Sequence, residues 1–432
     1  MSAKSKTMKI GLTVTTVALF ALSGCAGEFN AGKGDIKTAS ETVVAKVDAV
    51  VEQVMQSTKS TQAIVGVWLP DGKAYARGYG ENVNSSTAIR AAETTSPMMC
   101  ALVLELAARG ELQLDEKISQ TLEHESDLEN ITYAQLCNGT SGIADYRDAL
   151  REYTAKNPQR PWQINEILAQ ALANSPLPHA GVNRYLSEAD NILIVRAAKI
   201  KTAKRTQSLL KDYIYGKIEL KDTFYPEIYN SNNELPENSL KPIAYPGGVA
   251  EPNCDAEPAQ LESVSPAFVP GGASVTTVHD IHSFYTALFG GKFGRAKDFE
   301  ALNQPASLVN PPRDKDGKET SAVEPVAEGE LPHREIVLGA TKVGPLRGRA
   351  GWLPGTISAA YTDPATGFTM VIALNNSSAG ADAADAALLK LAAELVPESQ
   401  VAVPWSVDAA DRALQQKAVC VPAAVEEADE EE

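Results

Sequence analysis

Ser96 is the hydroxyl whose surroundings most invite chemistry. It closes a polar stretch, residues 89–96 (IRAAETTS), and precedes Met98, Met99, Leu102, Val103 and Leu106 at helical spacing. That pattern buries one long helix whose N-terminal end meets a loop, a place where a nucleophile could face a cleft. A serine nucleophile needs a base about one helical turn away. Met99 and Cys100 occupy those places. Pro97 also disfavours the α conformation at Ser96, so the pair reads as an N-cap followed by a first-turn proline. His279 and His282 share a helix face at i, i+3 and could form half of a metal site. No third ligand accompanies them, so a solvated face is expected there, with no metal or cofactor. The sequence has no G-x-S-x-G elbow, Walker A loop, H-E-x-x-H or paired C-x-x-C.

The elements that must position such groups are legible from periodicity. Residues 41–55 place Val43, Val47, Val50, Val51 and Val54 along an amphipathic helix. Residues 63–69 and 73–79 are strands joined by Pro70-Asp71-Gly72. The apolar helix follows and closes at Arg109-Gly110, and another helix starts near Thr132. Residues 164–172, 191–200, 278–288 and 382–395 read as helices, and 335–338, 356–362 and 368–374 as strands. Residues 235–270 form a long irregular loop, and 311–329 a charged insertion. A lone hairpin rarely stands by itself, so it must join the late strands in one antiparallel sheet. The expected architecture is therefore α+β: an antiparallel sheet flanked by helices (about 41–91 and 331–400), with a mostly helical subdomain inserted (about 92–330). The cleft between them is the natural ligand site.

Of the 432 residues, 44% are hydrophobic and 22% charged, an ordinary globular composition. A net charge of −16 argues against a nucleic-acid partner. Residues 401–432 form a C-terminal extension ending in an acidic tail. At the other end, Lys4, Lys6 and Lys9 precede an apolar run, residues 10–22, too short to span a membrane. Residues 1–24 are thus expected to be a signal peptide and 25–40 a flexible tether. The ending Leu22-Ser23-Gly24-Cys25 resembles the lipobox of bacterial lipoproteins. The resemblance implies cleavage before Cys25, its lipidation, and a membrane-anchored place in the cell envelope. Export would permit disulfides. Cys100 reads as a buried thiol or as a partner of Cys137, and Cys254 with Cys420 as a staple between a loop and the C-terminal extension.

Several phrases from about residue 41 to 396, in order, resemble the serine β-lactamase and D,D-peptidase superfamily, in its class C-like branch. They are Leu102-Val103-Leu104-Glu105-Leu106 leading to Arg109-Gly110-Glu111-Leu112, then Leu136 with Thr140-Ser141-Gly142-Ile143 and Asp145-Tyr146, then Pro270-Gly271-Gly272 before Thr276-Thr277-Val278. Gly139 stands where that family has a histidine. The resemblance implies a β-lactamase/transpeptidase-like fold and chemistry carried by S-x-x-K, Y-x-N and [KH]-x-G, the last on an edge strand facing the cleft.

None of those motifs is intact. Ungapped alignment sets Glu93-Thr94-Thr95-Ser96 on S-x-x-K, Leu186-Ser187-Glu188 on Y-x-N, and Arg349-Ala350-Gly351 on [KH]-x-G. The nucleophile position holds Glu93, the lysine position Ser96, and the shuttle tyrosine position Leu186. Tyr185, one residue away, should point elsewhere. The expectation is a non-catalytic envelope protein that binds a peptidoglycan-type peptide or a protein partner. Arg349 is then the foremost candidate to grip a carboxylate, with Glu93 and Glu188 as further ligand-binding candidates or as a glycosidase-like pair. The alternative is a divergent serine hydrolase using Ser96 or Ser187.

Overall fold

The computed structural model describes residues 34–419 apart from 126–127, 176–180, 228–234, 250, 262, 315 and 317. The expected signal, Cys25 and the 420–432 tail lie outside the described residues, as does Cys420 and with it the expected Cys254–Cys420 pair.

The first helix, α1 (Glu41–Thr58), begins where Ser40 accepts the N–H of Val43, and ends at Lys59 in the left-handed region. Its valines at 43, 47, 50, 51 and 54 are buried. A nine-stranded sheet forms the centre of the molecule. Its strands are β1 (Ile36–Lys37), β2 (Ala63–Trp68), β3 (Ala74–Tyr79), β4 (Ala306–Ser307), β5 (Glu335–Val337), β6 (Ala340–Val343), β7 (Leu346–Leu353), β8 (Thr356–Thr362) and β9 (Thr369–Leu374). Across the sheet they run β1-β3-β2-β9-β8-β7-β6-β5-β4. Every pairing is antiparallel. The hairpin β2–β3 joins the late strands through β2 against β9, with Val65 opposite Ile372. Every residue of β8 is buried, so both faces of the sheet are covered.

The covering helices are α2 (Met98–Ala108), α3 (Glu188–Thr202), α4 (Val278–Phe289), α5 (Ala381–Glu394) and α6 (Val407–Gln415). Helix α2 is buried along nearly its whole length, as its unbroken apolar run requires. A disulfide, Cys100–Cys137, ties it to the short helix Tyr133–Asn138, which opens with a capping box at Thr132 and Gln135. Among the described residues no helix is long and apolar enough to cross a membrane.

Several sequence-based boundaries move. Part of the tether is sheet: Ile36 pairs with Ala76, and Asp35 Oδ1 accepts the Ser85 N–H at 2.9 Å. The C-terminal extension is likewise packed up to residue 419. Helix α6 turns Ala409, Ala410 and Leu414 inward, and Gln53 Nε2 reaches Asp411 at 2.8 Å. Strand β7 is not an edge strand throughout. Leu346, Arg347 and Gly348 pair with β6, while Arg349–Leu353 pair only with β8 and open on the other side to the cleft. Helices Arg147–Lys156 and Ala296–Leu302 were not foreseen, the first being mostly polar and the second only seven residues long.

Candidate functional site

Four segments converge beside the open half of β7. The short 3-10 turn Ala92–Thr95 leads through Ser96 and Pro97 into α2. The start of α3 brings Glu188, Asp190 and Asn191. The turn Pro270–Gly272 lies across them, and residues 145–147 close one side. The residues on the degenerate motifs, Glu93, Ser96, Glu188, Arg349 and Gly351, therefore do meet in one place, while Leu186 stays outside the hydrogen-bonded cluster.

Glu188 and Glu93 pair with different arginines. Glu188, wholly buried, pairs through Oε1 with Arg349 Nη2 and accepts Asn191 Nδ2 at 3.1 Å. Arg349 Nη1 donates to the Gly339 carbonyl at 2.6 Å. Both ends of this guanidinium are thus engaged internally and the residue is 2% exposed, so it offers no fork to a ligand carboxylate. Burial pushes the Glu188 carboxyl above its usual range, against the pull of Arg349 and Arg147.

Glu93 Oε1 ion-pairs instead with Arg147, a residue that sequence reasoning missed. Its only signal was a cation directly after Asp145-Tyr146. Arg147 is also held by Asp145, with Nε 2.8 Å from Oδ2. Burial lowers the Arg147 pKa, but Asp145 and Glu93 outweigh that and raise it. The other oxygen, Glu93 Oε2, accepts the backbone N–H of Trp352 at 2.6 Å. An amide of the open half-strand that points into a cleft is the kind of donor that stabilises an oxyanion in acyl transfer. Here the protein's own carboxylate fills it.

Ser96 corrects an expectation. Its backbone is α-helical (φ −56°, ψ −34°), so the turn runs on into α2 despite Pro97, and the side chain caps nothing. Its Oγ donates to Glu188 Oε2 at 2.9 Å. A hydrogen bond to a buried carboxylate outweighs a cap, being charge-assisted. Ser96 is completely buried, and a Cβ on Gly272 would lie 2.8 Å from its Oγ, which shows how closely the Pro270–Gly272 turn seals it. Ser187 is the actual cap: it accepts the Ala189 N–H and donates to the Ala144 carbonyl at 3.1 Å. Tyr185 is 36% exposed and points away.

Two residues of the site have positive φ. Ala92 adopts φ +46°, a costly conformation for a residue with a side chain, directly before Glu93. Gly139 has φ +70°, and a Cβ there would come within 2.5 Å of the Tyr185 carbonyl oxygen, leaving no room for a histidine. Asp190 is buried, with no hydrogen-bond partner for Oδ1 among the described residues, and burial raises its pKa well above the usual carboxylate value.

His279 and His282 are not on a solvated face. His282 stacks on Trp68 at 4.2 Å between ring centroids, and His279 meets the same ring edge-on. Burial pushes the His282 imidazole down to about 4. Among the described residues no His, Cys, Asp and Glu cluster could hold a metal. Beside the cleft, Trp352 lines a cavity of about 260 Å³ with Lys156, Tyr245, Val249 and Ser378.

The family model described as Beta-lactamase matches residues 47–394. No curated protein matches the chain. Solved structures do. A D-stereospecific amidohydrolase from Streptomyces aligns at 17% identity and TM-score 0.62, over 76% of this chain and 94% of that one. A penicillin-binding protein from Bacillus halodurans aligns at 16% and 0.59, over 79% and 98%. The octameric penicillin-binding protein homologue from Pyrococcus abyssi aligns at 12% and 0.64, over 82% and 78%. At these identities they establish a shared fold.

Proposed function

The chain belongs to the β-lactamase family, and from that premise we propose that it is a member that does no acyl transfer: an exported, lipid-anchored envelope protein that acts by binding a peptidoglycan-type peptide or a protein partner. The observation that carries this reading is Glu93. At the position of the family nucleophile stands a carboxylate locked between Arg147 and the Trp352 amide. It is a poor nucleophile in that pairing, and it blocks the donor that acyl transfer would use. Export is supported by the lipobox-like Leu22-Ser23-Gly24-Cys25 and by the Cys100–Cys137 disulfide, which suits an oxidising compartment.

One observation favours a second reading. Ser96 Oγ bonds to Glu188, and a serine beside a carboxylate is a possible nucleophile and base. Arg349 neutralises that carboxylate and the serine is sealed from solvent, which argues for a structural bond. The test is incubation of the purified chain with a fluorescent penicillin and with a fluorophosphonate, followed by intact-mass analysis. No adduct is expected. A stoichiometric adduct that vanishes in Ser96→Ala would overturn the non-catalytic reading.

A further inference from the structure

We infer that the Trp352 amide and the Arg147 guanidinium form a carboxylate receptor in which Glu93 is an intramolecular ligand, so that a ligand ending in a free carboxylate binds by displacing Glu93. The inference rests on the non-catalytic reading and adds the ligand chemistry of the same site.

The receptor is defined by what fills it. Glu93 Oε2 takes the Trp352 N–H at 2.6 Å and Oε1 the Arg147 guanidinium. A backbone N–H and a guanidinium aimed at the two oxygens of one carboxylate discriminate it from a neutral amide. The cation that sequence favoured for this task is unavailable to a ligand, since Arg349 is buried on Glu188 and Gly339. Arg147 is partly exposed, with 19% of its side chain accessible, and so lies nearer solvent.

Two features set Glu93 apart from an ordinary buried acid. Ala92, at φ +46°, stores backbone strain one residue before Glu93. The surroundings are also over-supplied with acid: Glu93, Asp145, Glu188 and Asp190 face Arg147 and Arg349. A ligand carboxylate that displaces Glu93 keeps the charge balance around Arg147, because one carboxylate enters as the other leaves. Trp352, which supplies the amide, also lines a cavity of about 260 Å³ bordered by Lys156, and the rest of a ligand would lie there. A peptide C-terminus fits this chemistry; the neutral carbonyl of a lactam or an ester, with no anionic oxygen, fits it poorly.

Removal of the internal ligand should create a site for an external one. Glu93→Ala deletes a CH2–COO⁻ group, which acetate replaces almost atom for atom. In the purified chain, acetate at about ten times its Kd should raise the unfolding midpoint of Glu93→Ala by on the order of 2 °C, saturably. Chloride and acetamide at equal concentration should not, and the native chain should respond at least tenfold more weakly. Glu93→Gln, nearly isosteric and thus safe for folding, should show a smaller acetate-specific rise, because the amide lacks the ion pair with Arg147. A folded Glu93→Ala or Glu93→Gln that acetate stabilises no better than chloride overturns the inference. Failure of the non-catalytic reading has a different signature, a covalent adduct on the native chain.

Discussion

At the scale of single residues, the cleft is an electrostatic compromise, and Asp190 bears its cost. Its Oδ1 has no hydrogen-bond partner among the described residues, and burial, reinforced by Asp145 and Glu188, outweighs Ser141 and raises its pKa well above the usual carboxylate value. The sign of the consequence is fixed by linkage. Below about pH 4 the group is protonated in both folded and unfolded chains and contributes no slope. Above that, the unfolded chain releases the proton while the folded one keeps it. The contribution to stability is lost as pH rises, by about 1.4 kcal/mol per pH unit, until the folded pKa is reached. Asp190→Asn cannot titrate and should remove that slope. Urea unfolding at intervals from pH 5 upward is the check: the variant should gain on the native chain with pH until the folded pKa is passed, and parallel curves throughout would refute the assignment. Absolute stability is a less clean reading, because Asn adds donors that need partners.

At the scale of elements, β7 and the Ala92–Thr95 turn are held together by the absence of a side chain. A Cβ on Gly351 would come within 2.6 Å of the Ala91 carbonyl oxygen, 2.7 Å of the Glu93 nitrogen and 2.9 Å of the Thr94 nitrogen. These are backbone atoms that cannot step aside. Gly351→Ala should therefore push the strand from the turn, weaken the Trp352–Glu93 bond and destabilise by about 1–3 kcal/mol. Gly34→Ala, where a Cβ meets nothing within 4 Å, is the control and should be neutral. Denaturant midpoints of the two variants decide it, and equal midpoints would mean that the packing is looser than described. Some elements were legible in the sequence: α1 from its valine stripe, and the hairpin from Pro70-Asp71-Gly72. Strand β7 was legible only through family resemblance. Gly348, Arg349 and Gly351 break the usual strand composition, and their reasons are tertiary: close backbone approach and a buried ion pair. The polar helix Arg147–Lys156, which carries a central cation of the site, lacks the apolar stripe by which helices are read. The convergence of Glu93, Ser96, Glu188 and Arg349 was foreseen, but which acid meets which arginine is set by side-chain reach across the cleft and has no one-dimensional signal.

At the scale of the whole molecule, the site is braced by a covalent link as well as by packing. Cys100 on α2 and Cys137 are joined with Cα atoms 5.6 Å apart and a sequence separation of 37. The brace reaches the cleft. The Gly339 N–H donates to the Cys137 carbonyl at 2.9 Å, and the Gly339 carbonyl receives Arg349 at 2.6 Å. Arg349 holds Glu188, and Glu188 holds Ser96. Helix α2 thus meets β7 both through the turn before it and through the disulfide beneath it. On a chain-entropy argument, closing a loop of this length stabilises the fold by about 4 kcal/mol. The Cys100→Ala, Cys137→Ala double variant should lose about that much in denaturant unfolding, with a further increment for the buried volume removed. If the brace also orders the cleft, amide exchange at Gly339 and Trp352 should accelerate in the double variant by more than at the far strands β2 and β3, under conditions where the fold remains intact. Uniform acceleration would make the disulfide a global staple only. Local acceleration would mean that the self-filled cleft depends on an oxidising compartment for its order, which ties the geometry of the site to the place in the cell proposed for the protein.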